Sequence, residues 1–260
     1  MRADILLTNL GYAESRNRAQ RLIESGCVYA NGECIKKSSA DIDENAEITV
    51  VSIGETFVSR GAYKLLGALA DFGIDPAGMR CIDIGASTGG FTDCLLRRGA
   101  SSVVCVDCGK NQLSPKIAAD KRVTSYEGVN ARYITRDDVG GDFDLCVMDV
   151  SFISQTYILP ALSDLISDNG YVIALIKPQF ELDAKSVSKG VVKSAEKRLA
   201  ALYRVYDSLD SFSLVPVAFT RSRIEGGDGN VEFLGLYAKK DNKNLKKYDR
   251  AGLRALALSR

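Results

Sequence analysis

A chain of 260 residues with 46% hydrophobic content is long enough for one large domain, a small companion and a substantial core. Thirty-four basic residues stand against 33 acidic ones, a net charge of +1, so no overall field announces nucleic acid and any basic surface must come from local clustering. Histidine is absent, which excludes Ser-His-Asp and Cys-His mechanisms and imidazole metal sites, and glycines and charges interrupt every apolar run before it reaches membrane-spanning length.

Ile5, Leu6 and Leu10 suggest a short helix ending at Gly11, and Ser15 occupies the N-cap position of a second one. In that second helix Ala19, Leu22 and Ile23 share a face, Arg18 and Arg21 lie on another with Arg16 flanking, and Gly26 stops the run. Asn31-Gly32 between Cys27–Ala30 and Glu33–Ile35 signals a hairpin, because both central positions accept φ > 0. Glu47–Val50 supplies a closing strand, and residues 51–58, containing Gly54, form a short linker. Leu65, Leu66, Leu69 and Phe72 then give a helix an apolar stripe with Lys64 near its start; on its own such a lysine faces solvent.

The next stretch organises the rest. Cys81–Ile84 is an apolar strand carrying Asp83, followed by the small-residue loop Gly85–Gly90 and an apolar helix. Gly85, Gly89 and Gly90 permit close backbone approach, and the helix start offers free N–H groups to a ligand. The spacing is not the G-x-G-x-x-G of dinucleotide folds, and no Gly-Lys-Ser/Thr follows as in a P-loop. The acid-then-glycine loop instead resembles the first motif of S-adenosylmethionine-dependent methyltransferases, with a ligand-free tight turn as the plain alternative. On that resemblance Asp83, Gly85, Ser87, Thr88, Gly89, Gly90 and Phe91 are expected around the cofactor.

Ser102–Val106 is a second strand ending in Asp107, an acid placed either to grip ribose hydroxyls or to cap a helix after the strand. Val123–Tyr126 is a third, weaker strand, with Glu127–Asn130 expected near an adenine ring and Asn130 as its contact. Leu145–Phe152 delivers Asp149, and Tyr171–Pro178 delivers Lys177, to carboxyl ends of buried strands, where open α/β sheets place their sites; Pro178 re-aims the chain there. Residues 178–194, with Lys185, Lys189 and Lys193, read as a substrate-facing or simply solvated loop. A helix over 195–209 comes next, then a hairpin of Leu214–Thr220 and Val231–Ala238 around a turn at 225–230, with Glu232 starting the last strand. Lys239, Lys240, Lys243, Lys246, Lys247 and Arg250 make a basic tail that could form a second nucleic-acid patch. Seven cysteines, Cys27, Cys34, Cys81, Cys94, Cys105, Cys108 and Cys146, lie mostly in apolar patterns; with no secretory pattern at the start, reduced thiols in a cytoplasmic protein are expected. The CxxC of Cys105 and Cys108 has no second pair, so it reads as a strand end rather than a metal site.

The first fifty residues, through Ser15–Gly32, resemble the S4 RNA-binding domain, although they hold eight acids against six bases. The resemblance implies phosphate contacts by Arg16, Arg18 and Arg21, with structured RNA as partner. Lys64, Asp149, Lys177 and Glu232 together resemble the K-D-K-E tetrad of FtsJ-like ribose 2′-O-methyltransferases. With Ser59-Arg60-Gly61, the Asp83–Asp93 loop, Asp149–Ser154, Lys177–Glu181 and Gly229–Phe233 in order, the whole chain is similar to the TlyA family, also labelled hemolysin A, of ribosomal RNA 2′-O-methyltransferases. That similarity implies an α/β, Rossmann-like class I methyltransferase sheet, mostly parallel with an antiparallel last strand, over 59–240. It also implies a small α+β S4 domain over 1–50, a linker over 51–58 and a basic tail over 241–260. It further implies S-adenosylmethionine as cofactor, no metal, ribosomal RNA or ribosomal subunits as partner, Arg60 among the RNA contacts, and no membrane or protein partner. Lys177 would be the base for the 2′-hydroxyl, with Lys64 a like charge beside it and Asp149 and Glu232 orienting the amines. Three other readings stay open: a non-catalytic cofactor- and RNA-binding assembly factor, a methyltransferase acting on a base, and a membrane-lytic protein, for which the sequence offers no long apolar or basic amphipathic segment.

Overall fold

Ser15 accepts the backbone N–H of Arg18 at 3.3 Å and so starts a helix where the sequence placed its cap. In the computed structural model, described for all residues except 25–27, 32, 51–56, 184–186, 188–189, 227–228, 241–244 and 260 and the side chains of 33 and 34, the chain divides into two units, Met1–Thr56 and Phe57–Arg260. The expectations at Gly26, Cys27, Gly32, Lys185, Lys189 and Lys243, at most of the linker, and at residues 227–228 of the 225–230 turn lie outside the described residues.

In the first unit, α1 (Ala3–Asn9) and α2 (Arg16–Glu24) pack with a three-stranded antiparallel sheet of order β2-β1-β3, where β1 is Val28–Ala30, β2 Glu33–Cys34 and β3 Ile48–Val50. Asn31 takes the φ of +49° that the hairpin needs. Helix α1 presents Ala3, Leu6 and Leu7 inward, so Leu10, expected on the apolar face, falls past the helix end and is 50% exposed. Inside this unit Asp4 is fully buried and receives Arg2, Arg16 and Gln20. Those bonds, Arg2 foremost, hold its carboxyl well below the usual carboxylate range.

In the second unit, α3 (Gly61–Phe72) precedes a seven-stranded sheet: β4 Arg80–Ile84, β5 Ser102–Asp107, β6 Val123–Glu127, β7 Phe143–Met148, β8 Ile166–Ile176, β9 Leu214–Arg221 and β10 Phe233–Lys239. Their order is β6-β5-β4-β7-β8-β10-β9; the first five run parallel, and β10 is antiparallel to both β8 and β9. This is the expected mostly parallel sheet with an antiparallel end. Strand alternation splits the core. Ile82, Ile84, Cys146 and Met148 face α7 (Leu159–Leu165), α9 (Ala195–Ser208) and α10 (Gly252–Leu258), whereas Cys81, Leu145, Val147 and Ile173 face α3 and α4 (Gly90–Arg97). Short helices α5 (Pro115–Ala118), α6 (Arg136–Val139) and α8 (Pro178–Glu181) complete the crossovers.

Some segments differ from expectation. Strand β8 begins five residues before Tyr171, through an irregular register against β7 in which a Cβ at Gly170 would lie 2.6 Å from the Phe143 carbonyl oxygen. Glu232 directly precedes β10 rather than opening it. Phe57 and Val58, read as linker, join the second unit: Phe57 is buried and the Val58 N–H donates to Asp93 at 2.8 Å. Of the stretch read as a basic tail, α10 buries Leu253 and Ala257, and the Tyr248 N–H donates to Pro216 at 2.8 Å. Its cations meet local acids: Arg250 pairs with Asp207 at 2.8 Å and Lys240 with Asp210 at 2.8 Å, while Lys239 pairs with Asp168 at 3.2 Å. Cys81, Cys94, Cys105, Cys108 and Cys146 form no disulfide among the described residues, and burial pushes the Cys81 and Cys105 thiols up to about 12. Among the described residues no helix is long and apolar enough to cross a membrane, and no His, Cys, Asp or Glu cluster could hold a metal ion.

Candidate active site

The parallel strands β4, β7 and β8 end on one edge of the sheet, and a cavity of about 360 Å³ opens there. Asp83, Gly85, Ser87, Thr88, Gly90 and Phe91 from the glycine loop line it, together with Arg60, Lys64, Asp149 and Lys177. Of the expected residues in this unit, Gly89, Asp107, Asn130 and Glu232 do not.

The glycines are needed where the chain is tightest. Gly85 has φ +78°, and a Cβ on it would run into the Asp149 carbonyl oxygen; a Cβ on Gly90 would strike Ser59 Oγ. The loop thereby lies flush against the Asp149 strand end and the start of α3. Gly89, with φ +89°, starts α4.

Asp83 is wholly buried. Its Oδ2 accepts the Thr92 N–H at 3.0 Å and the Thr92 hydroxyl at 2.6 Å, which fixes the first turn of α4. Its Oδ1 is buried with no hydrogen-bond partner. Burial, with Asp149 and Asp107 adding like charge against the Thr92 bonds, pushes this carboxyl up to about 7. A buried acceptor at the wall of a polar cavity lacks a donor, and a ligand's ammonium group would supply one.

Asp107 receives the Ser87 N–H at 2.8 Å on one oxygen and the Gly109 N–H at 2.7 Å on the other, so it ties two loops together. Asn130 accepts the Arg132 N–H at 3.1 Å as the cap of a 3-10 turn and lines a second cavity with Tyr126, Val129 and Tyr133.

The four charged residues from distant parts of the chain assemble as two pairs. Lys64 is not solvent-facing: it is 9% exposed, and its Nζ lies 2.5 Å from Glu232 Oε2. Lys177 Nζ lies 2.6 Å from Asp149 Oδ1 as an ion pair and donates to Ser151 Oγ at 2.8 Å. Both lysines line the same cavity. Ser151 is an addition to the expected set, though the period of two along an extended segment could have put it beside Asp149. Phe152 is another: it is 90% exposed, has φ +65°, and its ring lies 5.2 Å from that of Phe180 at a 48° tilt, with the Phe180 ring 6.0 Å from Lys177 Nζ. Solvent exposure of a large aromatic in a left-handed conformation has no packing rationale and carries no periodic signal in sequence.

In the first unit, Arg21 is exposed and Arg18 half-buried, while the Arg16 guanidinium is 3.2 Å from Asp4 and so is partly committed within the fold.

Comparison with known proteins gives these features a context. The profile of the FtsJ-like methyltransferases matches residues 57–239, and that of the S4 domain matches 1–48. The chain is 41% identical over 234 residues to the 16S/23S rRNA (cytidine-2'-O)-methyltransferase TlyA of Mycobacterium tuberculosis, covering 89% of this chain and 87% of that one. It is 39% identical over 236 residues to the hemolysin A of Brachyspira hyodysenteriae, covering 90% and 98%. A Streptococcus thermophilus protein solved as a candidate hemolysin superposes with a TM-score of 0.77 at 38% identity, covering 99% of this chain and 94% of that one.

Proposed function

The chain belongs to the FtsJ-like methyltransferase family in the TlyA arrangement with an S4 domain in front, and from that premise we propose that it methylates a ribose 2′-hydroxyl of ribosomal RNA within a ribosomal subunit, in the cytoplasm. The observation that carries the reading is the convergence of two lysine–carboxylate pairs and an unpartnered buried Asp83 oxygen on one cavity.

S-adenosylmethionine supplies an electrophilic methyl group on a sulfonium, which leaves as a neutral thioether. Asp83 Oδ1 would hold its ammonium and the glycine loop with Ser87, Thr88 and Phe91 would flank its methionine part, while Asp107 and Asn130, outside the lining of that cavity, are the proposed contacts of its ribose and adenine. Lys177 would take the proton of the 2′-hydroxyl as that oxygen accepts the methyl group. Asp149 and Ser151 aim the Lys177 nitrogen, since both lie within 3 Å of it. Lys64, held by Glu232, places a fixed ammonium where negative charge develops on the ribose oxygen. Phe152 offers an exposed face for an unstacked base beside these groups. Arg16, Arg18, Arg21 and Arg60 are the proposed phosphate contacts; the near-neutral chain makes them local rather than part of a general basic field.

Transfer of labelled methyl to ribosomal subunits lacking the modification tests this reading. Alkali-resistant labelled dinucleotides are expected, because a 2′-O-methyl blocks strand cleavage; label recovered on free bases would refute ribose as the acceptor.

A further inference from the structure

Glu181 ends the single turn of α8, four residues after Lys177, and is 2% exposed. Its Oε2 accepts the Ser154 hydroxyl at 2.5 Å and its Oε1 the Gln155 N–H at 3.0 Å. Ser154 also caps the 3-10 turn over Gln155–Tyr157. The carboxylate of one loop therefore sits at the start of a turn in the other, where free N–H groups favour it. That second loop is the one that leaves β7 with Asp149, Ser151 and Phe152.

The two loops thus meet in three places: Lys177 reaches Asp149 and Ser151 at the cavity, Phe152 and Phe180 meet as a tilted ring pair, and Glu181 holds Ser154 and Gln155. The last of these is anchored in the core, since fully buried Tyr237 of β10 donates to Gln155 Oε1 at 3.2 Å and the Arg204 guanidinium donates to the Glu181 carbonyl at 2.8 Å. Lys177 and Glu181 are joined by the turn itself, in which the Phe180 N–H donates to the Lys177 carbonyl at 2.9 Å. A shift of Glu181 must then tilt the turn that carries Lys177. Lys64 and Glu232 lie outside this unit of loop and turn, on α3 and next to β10.

We propose that Glu181 is a positioning residue for the methyl-transfer site: its bonds to Ser154 and Gln155 staple the Lys177 turn to the Asp149 loop and so set the register of the Lys177–Asp149–Ser151 contact. The catalytic half of this inference rests on the functional reading above; the staple does not. Ionic bonds at the surface of such loops would leave the turn free to rock, whereas a buried acceptor with two short donors fixes it.

The test uses the full chain with two substitutions, Glu181→Gln and Ser154→Ala, and two readouts. Acetylation by acetic anhydride, followed by peptide mass spectrometry, compares Lys177 with Lys64, whose side chains are each 11% exposed, so one lysine serves as the internal standard for the other. The Lys177-to-Lys64 ratio is expected to rise roughly threefold or more in each variant, as Lys177 is freed while Lys64 keeps Glu232. In parallel, kcat is expected to fall about 100-fold with cofactor Kd and RNA KM within about twofold of wild type, the pattern of lost alignment. A merely structural role would raise acetylation of both lysines together and leave their ratio unchanged; that result overturns the proposal. A raised ratio with unaltered kcat in a chain that methylates RNA overturns it too. If Glu181→Gln does not fold, Ser154→Ala, which leaves the Gln155 bond intact, decides alone. A wild-type chain that transfers no methyl to ribosomal RNA would sink the functional reading, and the acetylation ratio, which needs no substrate, would still decide the staple.

Discussion

Replacing Asp83 with asparagine separates stability from ligand binding in opposite directions. In the free protein the carboxyl is pushed from its ordinary 3.8 up to about 7, chiefly by burial. Below the lower value both folded and unfolded chains hold the proton, and the group contributes nothing to the pH dependence. Between the two values the unfolded chain ionises while the folded one stays protonated, so stability falls as pH rises. Above about 7 the cost is complete and constant. The span of the shift corresponds to about 4 kcal/mol at most. Asparagine can still accept the Thr92 N–H and hydroxyl but never ionises, so Asp83→Asn is expected to match wild type near pH 4 and to exceed its stability by a few kcal/mol at about pH 8. Ligand binding runs the other way. An ammonium in the cavity needs the ionised Asp83 Oδ1, so wild-type affinity for S-adenosylmethionine should rise nearly tenfold per pH unit from about pH 5.5 toward 7, with one proton released on binding. Asp83→Asn loses that charge-assisted bond, about 2–3 kcal/mol, or roughly 30- to 150-fold in Kd, and loses the pH slope with it. Calorimetric titration across that range, with urea unfolding of the free proteins, measures both effects. A variant that binds the cofactor with wild-type affinity and slope, or that is less stable than wild type at about pH 8, would refute the reasoning.

Glu232→Ala strands the Lys64 ammonium in a buried site and should cost about 3–5 kcal/mol in urea denaturation, whereas the double change Lys64→Met with Glu232→Leu should restore much of that stability while leaving methyl transfer abolished. Phe152→Gly relieves a left-handed aromatic residue and removes only its exposed contact with Phe180, so it should stabilise the fold by about 1 kcal/mol in thermal unfolding while raising the KM for RNA about tenfold.

Much of the sheet is legible in the sequence because a buried parallel strand writes itself as a short apolar run, and because the acid or lysine closing that run marks the carboxyl edge. Asp83, Asp107, Asp149 and Lys177 were all placed in this way, and the positive φ of Gly85 and Gly89 comes from the same turn chemistry. Lys64 was not legible alone. Its helix stripe says which residues face the core, but its carboxylate partner lies 168 residues away, and only a family resemblance joined the two. Asp107 kept two readings for a physical reason: an acid at a strand end can serve a ligand or the backbone, and here both oxygens accept backbone N–H groups. The C-terminal lysines and arginine read as a tail because charge dominates their local pattern. Leu253, Leu256 and Ala257, which dock this segment, do recur at i, i+3 and i+4, but over a helix of only seven residues that follows a long polar run. Glu181 and Ser154 look like ordinary polar loop residues, since burial of a loop carboxylate is decided by the packing of two loops rather than by either sequence.

The most direct test of the account is the single-turnover rate of methyl transfer to unmodified ribosomal subunits by Lys177→Ala, measured with cofactor binding determined on the same protein. The account predicts a loss of at least about 1,000-fold in rate with cofactor Kd within about threefold of wild type, because the lysine acts on the ribose hydroxyl and not on the cofactor's binding groups. Turnover at the wild-type rate by a Lys177→Ala protein that binds cofactor normally would contradict it.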